Sequence, residues 1–478
     1  MPSIKKNFFY SSILTTANFI FPLLTFPYVS RVLGVTNVGI CNFVDSVIHY
    51  FVLFSMMGIG IVGIREVAKY KNDRKKLNGT FSGLFWLNTI TTSTALLVLI
   101  LLTLFVYKLR IHWEMMIIGS LKLVMNYMLI EWLYKGLEEF RFITIRTLII
   151  KTFYMASVFI LVRQPSDYQI YYLLTVLMVV LNSIVNIIYS RHFVSLLLDR
   201  QNIKLYVKPF FMLGGYNLLT SMYLTFNVVY LGFVSGETEV GYYSTASKLF
   251  KILIALFTAF TGVLLPRMSS LLSEGRKDDF ESLLQRSIHI LFSFSWPLVI
   301  FTIIFAPEII TLIAGQGYEG AILPMRIMMP LILIIGYEQI LIIQTLMPLK
   351  KDKAILRNSI YGAVAAVILN VLLVPKFASV GSATVWLVCE LVVLCSGQYY
   401  VNKFVGLGFP WRSFYKVILY NIPLAVLLIF VGHMNGIVIT ITVASVISLL
   451  YFLVVYTLII HDSEIRGILL KSIHFFVK

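Results

Sequence analysis

Residues 417–460 read VILYNIPLAVLLIFVGHMNGIVITITVASVISLLYFLVVYTLII, without one Asp, Glu, Lys or Arg. The run breaks only at Gly432-His433-Met434-Asn435-Gly436. Roughly 18 or more consecutive apolar residues make a helix long enough to cross the hydrocarbon core of a bilayer. Two such stretches and a turn fit here, near 415–432 and 437–459. Inside lipid the backbone must satisfy its own hydrogen bonds, which leaves helices or closed barrels. Barrel strands would show short alternating segments, and the sequence has none.

The same signature recurs outward from this stretch. Residues 7–30, 77–107, 168–190, 209–236 and 358–375 are also free of charge. Charged residues make up 13% of the 478 positions, about half of what a soluble surface needs. The spans fall near 10–32, 40–63, 80–106, 113–134, 143–162, 169–190, 210–233, 241–265, 287–306, 323–346, 357–375, 379–401, 415–432 and 437–459. The fold class is therefore all-α, a polytopic integral membrane protein of about fourteen transmembrane helices. The longest polar stretch, 191–208, reads as a loop, and no sizeable soluble domain is expected.

A net charge of +17 suits nucleic acid in principle, but its distribution argues against that partner. With the N-terminus inside, 29 of the 39 Lys and Arg fall on the cytoplasmic side, five fall outside and five lie within spans. One inner loop alone holds Lys69, Lys71, Arg74, Lys75 and Lys76. This asymmetry is the positive-inside pattern and places both termini in the cytoplasm. Cys41, Cys389 and Cys395 lie in or at spans, with spacing that suits neither a metal site nor a disulfide framework. The first apolar stretch, after Lys5 and Lys6, is too long for a signal sequence and reads as a retained helix.

The chain repeats itself. Val38-Gly39 and Val240-Gly241 each follow an outer turn; Arg65 and Arg267 each lie 26 residues further on, and Arg74 and Arg276 nine beyond those. Leu33-Gly34 and Leu231-Gly232 match upstream, with turns of unequal length. An offset of six crossings keeps both copies in the same orientation, as in many two-lobed secondary transporters. The expected organisation is a lobe at 1–208, a second parallel six-helix lobe at 209–403, and two added helices with a cytoplasmic tail at 404–478.

An ionisable side chain within a span costs at least a few kcal/mol and usually faces a cavity or a partner. The span at 241–265 carries Lys248 and Lys251 one turn apart on one face. The repeat sets Ser46 and His49 opposite them in the span at 40–63, with Asp45 just before. Lys122 and Glu131 share the span at 113–134; Arg326 and Glu338 share that at 323–346; Glu390 sits in that at 379–401; Arg31 ends the first. Lys248, Lys251, Lys122, Arg31 and Arg326 suit a cationic cavity that binds phosphate through charge-assisted hydrogen bonds. Asp45, His49, Glu131, Glu338 and Glu390 suit coupling or charge balance. Local alternatives stand beside these readings: Arg31 and Arg326 can snorkel to the interface, Glu131 can pair with Lys135, and Asp45 with His49. Pro22 and Pro27 kink the first span.

Two G-x-G-x-x-G matches, at 58–63 and 315–320, lack the strand and acidic residue of a dinucleotide site and read as helix packing and a turn. No nucleotide-binding loop, metalloprotease motif or nucleophile triad is present. No cofactor, metal or catalytic residue is expected.

The stretch Phe21-Pro22-Leu23-Leu24-Thr25-Phe26-Pro27-Tyr28-Val29-Ser30-Arg31-Val32-Leu33-Gly34 resembles the opening motif of bacterial polysaccharide and O-antigen flippases. Gly39, Tyr50-Phe51 and Gly63-Ile64-Arg65-Glu66-Val67-Ala68 continue it. A second block is Glu131-Trp132-Leu133-Tyr134-Lys135-Gly136-Leu137-Glu138-Glu139-Phe140 with Ile143-Thr144-Ile145-Arg146. The resemblance is clearest over the N-terminal lobe. It implies membership of the superfamily of multidrug, oligosaccharidyl-lipid and polysaccharide exporters, with two six-helix lobes about a V-shaped cavity. It also implies a substrate, undecaprenyl-pyrophosphate-linked oligosaccharide, moved from the inner to the outer leaflet of the bacterial cytoplasmic membrane, with an ion gradient as a candidate drive. Membrane lipids, a polysaccharide polymerase and other assembly proteins are the expected partners. The alternative within transport is a multidrug or small-molecule antiporter. An integral membrane enzyme would need a larger outer loop or a donor-binding domain, so none is expected.

Overall fold

The computed structural model describes residues 4–197, 203–432, 434 and 436–459. His433 and Asn435 of the last turn, part of the stretch at 191–208, and the expected cytoplasmic tail at 460–478 lie outside those residues.

Among the described residues, eleven helices are long and apolar enough to cross a membrane, and the bent pair Ile203–Met222 and Phe226–Ser235 makes a twelfth candidate. Two of these are too long for one crossing. The helix Asp352–Val405 has 54 residues, about 80 Å at 1.5 Å per residue against a hydrocarbon core of about 30 Å. It breaks at Ala378 (φ 47°, ψ −124°), and Ile4–Met56 breaks at Gly34 (φ 76°, ψ 167°). Each is two crossings joined by a sharp turn, which brings the number to the expected fourteen. Lipid-facing surfaces are apolar: Ile437–Val454 buries Thr440, Ala444 and Phe452 and turns most of its other side chains outward.

Polar punctuation sits where helices begin. The Asp73 carboxylate accepts the Lys76 backbone N–H at 3.1 Å and meets the Lys76 ammonium at 3.3 Å, capping Arg74–Phe105. That N–H holds the Asp73 carboxyl below its ordinary value. The cap is therefore complete above the ordinary carboxylate range and is lost only as pH falls through the depressed value. In the stretch at 191–208, a helix already begins at Ile203.

The described chain forms two compact units, Met1–Gly241 and Tyr242–Lys478. The first takes in the helices Ile203–Leu224 and Phe226–Ser235, which the sequence repeat groups with the second lobe. Close backbone contacts explain this: the Gly58 N–H donates to the Phe210 carbonyl at 3.2 Å, and Gly232 lies directly on the Phe43 ring. In the second unit, Phe305, Leu424, Leu428 and Ala444 pack together. They join the trailing pair, Trp411–Val431 and Ile437–Val454, to the end of Lys277–Ile304.

The repeat has a backbone signature inside the first unit. Gly34 and Gly236 lie 202 positions apart, as do Gly39 and Gly241, and both turn glycines have the same unusual conformation, φ 76°, ψ 167° and φ 95°, ψ 175°. The turns are thus equivalent without any length difference, and Gly34 corresponds to Gly236 rather than to Gly232. Thr36 and Thr238, again 202 apart, share a hydrogen bond of 2.9 Å. A Cβ on Gly39 would collide with the Glu237 carbonyl, and a Cβ on Gly241 with the carbonyl of Val35, the residue equivalent to Glu237. Such reciprocity is the pattern two copies of one element make across a local two-fold axis.

Replacing Gly39 with Ala should lower the thermal midpoint of the purified protein, at a cost of about 1–3 kcal/mol for forced overpacking. Gly60→Ala is the control: a Cβ there meets nothing within 4 Å, so its effect stays within about 1 kcal/mol. Equal midpoints for the two variants would show that the crossing at Gly39 is not tight.

Candidate membrane-embedded polar sites

Each unit carries its own polar clusters. In the first, Lys122 is matched rather than isolated. Its ammonium lies 2.5 Å from the Asp45 carboxylate, joining Trp113–Asn126 to the helix that follows the Gly34 break. Asp45 thereby takes a partner 77 positions away, a full opposite charge that offsets the burial cost of the ammonium. Ser46 and His49 lie on the same helix, one residue and about one turn beyond Asp45.

Nearer the end that carries the basic loops, Glu131 opens the short helix Glu131–Gly136. It meets Lys135 at 3.2 Å, the i+4 pairing expected, and Arg146 at 3.0 Å. Arg146 is 5% exposed. It donates to the Asn186 side-chain carbonyl, while the Asn186 amide donates to the Leu129 carbonyl and the Tyr134 hydroxyl to the Asn186 backbone carbonyl. A buried guanidinium needs its donors met in this way. Lys151, deeper along Phe140–Leu161, donates to the Asn18 side chain at 2.6 Å. Arg31 is exposed one turn before the Gly34 break.

The second unit gathers the remaining candidates. Lys251 keeps accessible surface yet its ammonium stands 6.0 Å from the ring centre of Trp386, a side chain only 2% exposed. Trp386 in turn donates its indole N–H to Glu390 at 3.0 Å. Glu390, also 2% exposed, has the carboxyl group of Glu338 as a neighbour. Glu338 ends a helical turn just before a wide π turn at Ile340–Leu346, a device frequent at functional sites. Lys248 lies half-buried one turn before Lys251. Arg326 is set apart, its Nε donating to the Ile303 carbonyl at 3.1 Å near the end of Lys277–Ile304.

The structure thus brings together Asp45 with Lys122, Glu131 with Lys135, and Lys251 with Glu390 and Glu338 through Trp386. It leaves Arg31 and Arg326 near helix ends. Sequence reasoning missed Arg146, Asn186, Lys151 and Trp386. Arg146 stood in a quoted motif but was counted among cytoplasmic charges. Lys151, a lone lysine mid-span, was the signal closest to hand.

The sequence profile described as "Polysaccharide biosynthesis protein" matches residues 4–272. The chain belongs to that family. A MatE profile matches residues 212–373. Among relatives, the "Putative O-antigen transporter" of Escherichia coli (strain K12) is 25% identical over 394 residues, covering 82% of this chain and 95% of the relative. Among solved structures, "Lipid II flippase MurJ, inward closed conformation" superposes with a TM-score of 0.74 at 13% identity, covering 93% of this chain and 98% of its own. A multidrug resistance MATE family transporter of the MOP superfamily, in an inward-facing conformation, gives 0.60 at 14% identity, covering 80% and 94%. This member of the polysaccharide biosynthesis protein family therefore shares the polytopic membrane fold of those two transporters.

The Asp45–Lys122 pair can be tested by a double-mutant cycle. Asp45→Asn and Lys122→Met should each lower the thermal midpoint, and the double variant should recover part of the loss, with a coupling of about 1 kcal/mol or more. Additive losses would mean that the two charges do not sense each other.

Proposed function

We propose that this protein is a flippase that carries undecaprenyl-pyrophosphate-linked oligosaccharide from the inner to the outer leaflet of the bacterial cytoplasmic membrane by alternating access. It is a transporter rather than an enzyme. The single observation that carries this reading is Lys251, a lysine within a spanning helix whose ammonium stands 6.0 Å from the ring centre of a buried tryptophan. A membrane-embedded cation is costly to keep, and a pyrophosphate is the anionic group it would serve. Family membership and the name of the Escherichia coli relative support the substrate class. The neighbouring carboxyl pair Glu338 and Glu390 is suited to taking up and releasing one proton, which would couple transport to a proton gradient. The excess of basic residues in alternate loops favours both termini in the cytoplasm. A polysaccharide polymerase and other assembly proteins are the proposed partners.

The MatE profile favours one second reading, a multidrug or small-molecule antiporter. A deletion strain decides between the two. Loss of surface polysaccharide with unchanged drug sensitivity fits the flippase, and the reverse fits the antiporter.

In a complementation assay, Lys251→Ala combined with Lys248→Ala should abolish surface polysaccharide while membrane insertion continues. Lys251→Arg, which keeps the charge, should retain part of it. Normal polymer export by the double alanine variant would remove the phosphate-site role. Glu390→Gln should uncouple export from the proton gradient, measured as loss of the dependence of flipping on an imposed pH difference in vesicles; an unchanged dependence would exclude the carboxyl pair as the coupling site.

A further inference from the structure

A groove of about 510 Å³ opens on the first unit between Phe140–Leu161 and Tyr168–Ser190. Ile145, Ile149 and Val185 form apolar walls that face outward. Arg146 lines it from within, and Arg141 stands exposed at its mouth. Phe142 and Tyr189, stacked at 3.8 Å, close the end nearest the loops. A second hollow of about 590 Å³ adjoins the first. The two share Glu139 and Arg141, and the second adds Lys6 and Tyr10 from the start of the chain.

Two observations point to an anionic occupant. Arg146 has one donor, Nε, without any partner although the side chain is 5% exposed; a buried unmet donor is rare and marks a place for an acceptor. The charges around the groove are also unbalanced. The two hollows are lined by Lys6, Arg141 and Arg146 against Glu138 and Glu139, and Glu138 is already taken by Lys71 at 3.2 Å. One positive charge remains in excess. The vertical placement fits as well. Arg146 lies two helical turns in from Phe140, about 9 Å along the axis, and the apolar walls continue one turn deeper to Ile149.

We propose that this groove is a binding site for an anionic glycerophospholipid of the surrounding membrane. The phosphodiester sits at Arg141, beside the Arg146 guanidinium that lines the groove, and one acyl chain lies along Ile145, Ile149 and Val185. Basic pockets between spanning helices on the cytoplasmic side hold lipid headgroups in this manner. The site is separate from Lys251 and does not depend on the transport reading. Its effect is to tie Glu131–Gly136 and the helix ends around it to the leaflet in which the headgroup lies.

The test is thermal unfolding of the purified full-length protein in detergent. It is titrated with phosphatidylglycerol, with phosphatidylcholine of the same acyl chains, and with inorganic phosphate. Phosphatidylglycerol should raise the midpoint at concentrations where the other two do not. Arg141→Ala should weaken its apparent affinity about fivefold, the share of one surface cation. Val185→Trp should remove the shift by filling the groove without changing charge. Both positions are exposed, so both variants should fold. Equal response to phosphatidylcholine would overturn the proposal, since no headgroup charge is then read. A full shift from phosphate alone would reduce the groove to an anion site without a lipid. Parent-like titration by either variant would also overturn it, because head and tail contacts are both required.

Discussion

A charge inside a bilayer has to be met by protein, and most of this structure's membrane-embedded detail follows from that constraint. Lys122 is met by Asp45, Lys151 by Asn18, and Arg146 by Glu131 and Asn186. The first two pairings fasten helices 77 and 133 positions apart, and Arg146 reaches Asn186 40 positions on. Within hydrocarbon the hydrophobic effect gives helices little reason to prefer one neighbour over another, because lipid tails are as apolar as leucine. Polar pairs and close glycine crossings supply the selectivity instead. Gly63 against the Trp132 indole is one such crossing, in the stretch whose glycine pattern otherwise imitates a dinucleotide motif.

Lys251 stands out against this background. It has a tryptophan face for a neighbour, with the carboxyl pair one residue further along the chain of contacts. An indole ring attracts a cation but leaves its donors available. A lysine held this way is positioned without being locked to a carboxylate, as Lys122 is at 2.5 Å. The distinction rests on the chemistry of the neighbour rather than on depth in the membrane.

The crossings were legible in the sequence because long charge-free runs and loop charges are one-dimensional signals. The break at Gly34 was marked by its glycine, and that at Ala378 by Pro375 and Lys376 just before it. The Leu231-Gly232 pairing misaligns the turn register; the offset of 202 that relates Gly39 to Gly241 also relates Gly34 to Gly236, and φ and ψ agree with it. Partners were the part that could not be read. Asp45 and Lys122 lie 77 positions apart, and nothing in either neighbourhood names the other. Arg146 failed for a different reason. A basic residue two turns into a helix counts as a loop charge until its burial is known, and Trp386 passed as one more apolar residue until its indole N–H was seen to hold Glu390.

The reciprocal packing of Gly39 on Glu237 and Gly241 on Val35 has a consequence for how such a chain could arise. A contact made twice by equivalent residues is one that two identical polypeptides can make with each other. A single ancestral half would have needed one glycine at one position to associate with its twin, and fusing the genes would have kept the contact without inventing a new one. Once fused, the two copies are free to diverge everywhere except where each still has to fit the other's backbone. That leaves Val35 and Glu237, equivalent in place, already different in kind: the valine remains apolar, while the glutamate has acquired His112 and Lys108 as partners.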